Sequence, residues 1–148
     1  MANKPIPIYA FALVVVRLDD RFLVVQERKH GQLWYLPAGR IELAETIEEG
    51  AIREVYEESG VQVTLTGVLK VMYTPQIECS RLRVLFLAKP TDDPTPRTEP
   101  NKHTLAARWV TLAELDALPL RGEEVRSIFT WVANGAPSYP MELLGIED

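Results

Sequence analysis

The sequence predicts an α/β domain, and three observations carry that reading. Runs rich in valine, leucine and threonine recur at strand length around residues 9–28, 61–73 and 81–88. A segment bracketed by an N-cap signature and a glycine stop reads as a helix between them, over residues 46–60. Proline, glycine and aspartate clusters separate these segments. Tyr9–Arg17 is apolar and β-branched, Asp19-Asp20 is a turn signal, and Arg21–Arg28 is expected to pair back as a hairpin. Lys29–Leu33 is read as a loop. Leu36–Ile41 is read as a strand entering a turn at Gly39, where glycine permits a backbone path that other residues resist. Thr46 and Glu49 form a capping box, and Gly60 stands where a left-handed residue ends a helix. Ile47, Ala51, Val55 and Ser59 recur at four-residue steps and give this helix a face to pack on a sheet.

Val61–Tyr73 reads as one long strand or a pair broken near Gly67, and Arg81–Ala88 as a further strand. Pro90–Asn101 has four prolines and no aliphatic or aromatic side chain, so it is expected to be a loop. Trp109–Thr111 begins a last strand, and Thr111 with Glu114 caps a short helix. Glu123–Asn134 is amphipathic, with Val125, Ile128, Phe129 and Val132 on one side and Gly135 as its stop.

A chain of 148 residues, 47% hydrophobic and 25% charged, fits a single domain spanning 1–148. No run of eighteen apolar residues offers a membrane span, and the start MANKPIPIY lacks the pattern of a signal peptide. The single cysteine, Cys79, excludes an internal disulfide framework and suits a reducing, cytoplasmic setting. A net charge of −5 argues against binding polymeric nucleic acid. It also means that an anionic substrate would have to be attracted locally, by bound cations.

The most informative residues are three carboxylates, Glu54, Glu57 and Glu58, at spacings i, i+3 and i+4 on the central helix. At about 100° per residue they share one face, where like charges repel. Hard oxygen ligands converging from one element suit Mg²⁺ or Mn²⁺, the usual partners of phosphate chemistry. Arg53 lies one helical turn before Glu57 and is placed to hydrogen-bond and orient it. A main-chain carbonyl from Ala38 or Gly39 is a further candidate ligand.

Gly39, then Glu45, then Arg53-Glu54-Val55, Glu57-Glu58 and Gly60-Val61 stand at the spacings of the Nudix box, which fills residues 39–61. Seven fixed residue types and two apolar positions would match by chance on the order of 10⁻⁹ per starting point. The chain therefore resembles the Nudix hydrolase, or MutT-type, family. Within it, Leu33-Trp34 with Pro37-Ala38-Gly39, residues 81–88, Ala107–Val110, Leu120–Val125 and Tyr139–Gly145 look similar to the NudJ-like phosphatases.

The resemblance implies a Nudix fold, an α/β/α sandwich around a mixed β-sheet. It implies Mg²⁺-dependent hydrolysis of a phosphoanhydride in a nucleoside di- or triphosphate or a similar small pyrophosphorylated metabolite. ADP-ribose or sugar-nucleotide hydrolysis is the alternative, to which Pro75 is a pointer, and a non-catalytic nucleotide sensor is a third reading. By the same resemblance Gly39, Glu54, Glu57 and Glu58 would hold metal, with Glu54, Glu57 and Arg53 in the catalytic machinery. The general base stays open among Glu54 and Glu57 of the box, Glu99 and His103, because the acid that often precedes the late tryptophan is replaced here by His103 and Thr104. Candidate substrate contacts are Arg28, Arg40, Arg83 and Tyr73, with Lys29 and Arg81 as further cations bordering the cleft. The resemblance also admits a homodimer.

Overall fold

The computed structural model describes residues 4–148, so the first three residues of the expected domain and of the MANKPIPIY start lie outside it. The strands are β1 (Ile8–Leu18), β2 (Arg21–Glu27), β3 (Trp34–Tyr35), β4 (Ala38–Arg40), β5 (Val63–Pro75), β6 (Ser80–Pro90) and β7 (Thr104–Val110). The helices are α1 (Ile47–Ser59), α2 (Leu112–Leu115) and α3 (Glu124–Ala133), with 3-10 turns at His30–Gln32 and Met141–Leu143. One mixed sheet runs β3-β2-β1-β6-β5, with β4 added to β1 and β7 to β2. Among the strands of the described residues only β1 and β6 pair in parallel, from Ile8 opposite Ser80 to Val16 opposite Ala88.

Both faces of the central strand are covered, which explains why β1 reads as an unbroken apolar run. Ala12, Val14 and Val16 point to one side, where Ala51 and Val55 of α1 meet Val84 and Phe86. Leu13 and Val15 point to the other, against Leu85, Leu115 of α2 and Val125, Phe129 and Val132 of α3. Phe22 and Phe129 stack with ring centroids 4.5 Å apart, worth about 0.5–1.5 kcal/mol beyond burial. The result is a three-layer α/β/α sandwich, the architecture the resemblance implies.

Two elements differ from the sequence reading, and a third, β5, takes one of the two forms left open. Gly39 lies in β4, paired opposite Ala12, and its φ is not left-handed. It is not a turn glycine. β5 is a single strand whose register slips at Leu65/Gly67 and again at Val68/Lys70. A Cβ on Gly67 would stand 2.0 Å from Ser138 Oγ, and Tyr139 exchanges two backbone hydrogen bonds with Val68 at 2.8 Å. The glycine thus admits the C-terminal segment at the sheet edge. β7 begins at Thr104, five residues before Trp109, because it pairs along most of β2.

Candidate active site

Helix α1 is specified at both ends. Thr46 Oγ1 accepts from Glu49 N–H at 3.0 Å, and Glu49 returns the bond to Thr46 N–H at 2.9 Å. Gly60 closes the helix with φ 79°, a left-handed conformation that costs other residues about 1–2 kcal/mol. Ser59, fully buried, donates to Val55 O and accepts from Val61 N–H, turning the chain toward β5.

Arg53 is the hub of the site. Its Nε and Nη2 donate in parallel to Glu45 at 2.7 and 2.9 Å, and Nη2 also donates to the Arg40 carbonyl at 3.1 Å. Nη1 donates to Glu54 Oε1 at 2.9 Å and to Glu57 Oε2 at 3.2 Å. One guanidinium therefore ties α1 to β4 and sets the positions of two box carboxylates. These neighbouring carboxylates push the Arg53 pKa up, so it stays charged. Glu45 also accepts from Glu42 N–H at 2.9 Å, and its bonds from Arg53 hold its pKa below the ordinary range. Gly50 makes room for this arrangement: a Cβ there would lie 2.5 Å from Ile41 Cδ1 and 2.7 Å from Glu45 Oε1. Sequence reasoning missed Gly50, although a glycine inside an otherwise well-formed helix is itself a signal of close approach.

Gly39 meets the Glu54 carboxylate from the strand side. A Cβ at this position would stand 2.0 Å from Glu54 Cδ, so the missing side chain is a requirement of space, and the backbone path is an ordinary strand. Glu58 turns inward and accepts from Ala38 N–H at 2.9 Å. Burial raises the pKa of Glu58 well above the carboxylate range, and the charges of Glu54, Glu27 and Glu57 add to it. Burial raises Glu54 as well, more than the bond from Arg53 lowers it.

The loop between β6 and β7 has a structural role that its composition hides. Arg97 N–H donates to Ser59 O at 2.7 Å, and its guanidinium donates to Glu57 O, Glu58 O and Thr104 Oγ1 at 3.3, 3.1 and 2.6 Å. Asn101 Nδ2 donates to Glu57 O, and buried Thr104 donates to Glu58 O. These groups satisfy the last carbonyls of α1 and put positive charge at the negative end of its dipole. The anchored loop carries His103 Nε2 to 3.8 Å from Glu57 Oε2. Glu99 is exposed, and its contribution to the loop is a backbone carbonyl accepting from Arg97 Nε at 2.7 Å.

On the sheet face opposite α1, a cavity of about 160 Å³ is bordered by Phe11, Tyr35, Gly39 and four arginines, Arg40, Arg81, Arg83 and Arg121. Arg83 pairs with Glu124 and lies 3.4 Å from the Tyr35 hydroxyl, which itself donates to Glu124 at 2.7 Å. Arg121 pairs with Glu27 at 3.0 Å and stacks on Tyr35. Arg121 and Glu124 come from the segment before and into α3, which the sequence marked by its resemblance and not as a set of site residues. The other candidate contacts lie elsewhere. Tyr73 pairs with Leu82, on the face opposite Arg81 and Arg83, and its hydroxyl donates to Ser80 Oγ at 2.8 Å. Arg28 is exposed, with Nε donating to Asn101 O at 2.5 Å.

The donor set suits a hard divalent cation: three carboxylates crowd one helix face beside a main chain stripped of its Cβ at Gly39. Among the described residues no three His, Cys, Asp or Glu side chains stand together as a ready metal cluster. Arg53 holds two of the three carboxylates and Ala38 N–H the third. All three rise from neighbouring turns of one helix, whose positions i, i+3 and i+4 lie close together.

Comparison with known proteins agrees with this geometry. Residues 7–132 match the NUDIX domain family. The chain is 33% identical over 135 residues to the phosphatase NudJ of Escherichia coli K12, covering 88% of this chain and 86% of that protein. It is 35% identical over 120 residues to a Mus musculus 8-oxo-dGDP phosphatase, covering 79% of this chain and 36% of the relative. The chain spans about a third of the length of the Caenorhabditis elegans and mouse relatives it matches. Among solved structures, a NUDIX hydrolase from Nitrosomonas europaea superposes with a TM-score of 0.78 at 24% identity, over 95% of this chain and 97% of that one. The box at residues 39–61, the sandwich that presents it and the relatives that share both agree: the chain belongs to the Nudix hydrolase family.

Proposed function

We propose that the chain hydrolyses a phosphoanhydride bond in a nucleoside di- or triphosphate, or a similar small pyrophosphorylated metabolite, with Mg²⁺ or Mn²⁺ as cofactor. The observation that carries this reading is Gly39, which touches the Glu54 carboxylate on one side and borders the arginine-lined cavity on the other. An anionic substrate laid across Gly39 meets acidic metal ligands and cationic phosphate contacts within one span. The mouse relative is named for a nucleoside diphosphate substrate and the Escherichia coli relative as a phosphatase, which supports this reading.

Glu54, Glu57, Glu58 and the main chain at Gly39 would hold the ion, which supplies neutralisation of the diphosphate and activation of the attacking water. Arg53 keeps Glu54 and Glu57 in place, and Ala38 N–H does so for Glu58. Glu57 is the carboxylate we assign to receive the proton from water, since it is part-exposed and faces His103 at 3.8 Å. Arg40 and Arg83, on the strands flanking β1, are the phosphate contacts. A reducing cytoplasmic setting and a homodimer complete the proposal. Among the described residues no helix is long and apolar enough to cross a membrane.

The test is turnover of nucleoside di- and triphosphates and ADP-ribose with Mg²⁺, with orthophosphate and pyrophosphate assayed separately. Glu57→Gln should lower kcat at least about 100-fold while circular dichroism stays native. Wild-type turnover in the folded variant would remove the assigned site.

A further inference from the structure

Strand β5 is the last of the sheet, and its outer edge is closed along only half of its length. The first half is protected twice. Its register slips at Leu65/Gly67 and at Val68/Lys70, and Tyr139 bonds to both backbone groups of Val68. From Lys70 the pairing with β6 is regular as far as Pro75 opposite Ser80. Among the described residues no strand or bridge pairs with the other edge of this stretch. Bulges, prolines, charges and covering segments are the usual defences of a strand edge, whose free N–H and C=O groups otherwise offer a template for another strand. Between Lys70 and Thr74 the one such defence is Lys70 itself.

An apolar surface adjoins the open edge. Val71 and Tyr73 stand opposite Val84 and Leu82, on the α1 side of the sheet, yet both are about half exposed. Ile8, opposite Ser80, is on the same side and equally exposed. The Tyr73 hydroxyl donates to Ser80 Oγ, which tethers the ring and leaves its apolar body to solvent. Ile6 and Ile77 lie at the same end of the sheet, 72% and fully exposed. Together these five residues expose on the order of 500 Å², toward the upper end of the largest apolar patch on a typical monomer. With the strand edge added, the surface approaches the about 800 Å² that each partner buries in a standard interface.

We infer that the open edge of β5 and the apolar surface beside it form the interface of a homodimer, the two edges pairing antiparallel about a two-fold axis so that one sheet runs through both copies. This rests on the homodimer proposed above, whose contact it names, and is independent of the hydrolysis. An edge that pairs antiparallel with its own copy is self-complementary, as a two-fold interface requires. An axis perpendicular to the sheet keeps the α1 side of both copies on one side, so Val71 and Tyr73 of each line a single apolar face. Lys70 stands at one end of the open stretch, so antiparallel pairing carries the two lysines to opposite ends, where parallel pairing would set like charges face to face.

The experiment measures mass by light scattering after gel filtration, over a dilution series starting near about 50 μM. Wild type should run at twice the chain mass. Val71→Lys and Ile77→Lys each place two like charges in the interface and should weaken dimerisation at least about 30-fold, with native circular dichroism. Ile77 lies in an exposed turn, so Ile77→Lys decides the matter if Val71→Lys does not fold. Leu18→Lys, at the far end of β1, should leave the dimer intact. A dimer that persists in the folded Val71→Lys and Ile77→Lys variants would overturn this interface and leave the homodimer standing. So would a dimer that Leu18→Lys weakens as much as they do. A wild-type monomer throughout the series would overturn the homodimer and the interface together.

Discussion

Substituting Gly39 by alanine tests whether the glycine serves the site or the fold. The new Cβ would stand 2.0 Å from Glu54 Cδ and 2.2 and 2.3 Å from the two carboxylate oxygens. Ordinary carbon–carbon contact begins near 3.5 Å, so the carboxylate must withdraw by about 1.5 Å. Withdrawal breaks its 2.9 Å bond from Arg53 Nη1. It also carries away an oxygen assigned to the metal.

The fold should lose little from this change. The displaced atoms are the end of a flexible side chain, and Gly39 has no left-handed φ for alanine to strain. Loss of one charge-assisted hydrogen bond costs about 1.5–3 kcal/mol, and lower unfolded-state entropy returns about 0.4–1 kcal/mol. The expected net destabilisation is therefore about 1–2 kcal/mol by urea unfolding. Catalysis should suffer far more, since a misplacement of about 1 Å in a reacting constellation costs roughly 100-fold. Mg²⁺-dependent kcat measured beside the unfolding curve separates the two. A variant within threefold of wild-type kcat would refute the reasoning, whatever its stability.

Two further substitutions probe the surroundings. Arg97→Ala removes three side-chain bonds that hold the end of α1 and buried Thr104, and should lower stability by about 2 kcal/mol, read as a lower urea midpoint with an unchanged m-value. An unchanged midpoint would show the anchor to be redundant with Asn101. Burial pushes the Glu124 carboxyl up, but bonds from Tyr35 and Arg83 and the charges of Arg83 and Arg121 outweigh it and hold the pKa below the usual value. A depressed acid stabilises the fold above its unfolded pKa of about 4.3 and loses that contribution as pH falls through the folded value. The stability advantage of wild type over Glu124→Gln should thus be constant from pH 7 to 5 and shrink below about pH 4. An advantage independent of pH would assign it to packing.

Helix α1 was legible because everything that defines it is local. Thr46 caps Glu49 three residues on, and Arg53 reaches Glu57 four residues on. Gly39 was legible as a residue but misread as a cause, since a sequence shows a glycine without showing whether φ or volume demands it. The cationic row was only partly legible. Arg40, Arg81 and Arg83 are scattered until the pairing of β4 and β6 with β1 aligns them, and one step of register separates the β6 arginines from Tyr73 on the other face.

The loop at 91–103 was illegible for a different reason. Its anchors are side chains bonding to helix carbonyls about forty residues away, and a backbone carbonyl leaves no mark in a sequence. The helix is nevertheless pinned at two points by the same device, at its middle and at its last turn. Arg53 bonds the Arg40 carbonyl and fixes α1 against β4, and Arg97 bonds the Glu57 and Glu58 carbonyls and fixes its last turn. Glu54, Glu57 and Glu58 follow the first restraint and reach the second, so their positions along the helix axis are set by contacts at mid-helix and at its last turn. Mutual repulsion among Glu54, Glu57 and Glu58 would otherwise favour fraying of that last turn. The box thus holds its charge in place through the chain on either side of it, and the strength of the site resides partly in residues that touch neither metal nor substrate.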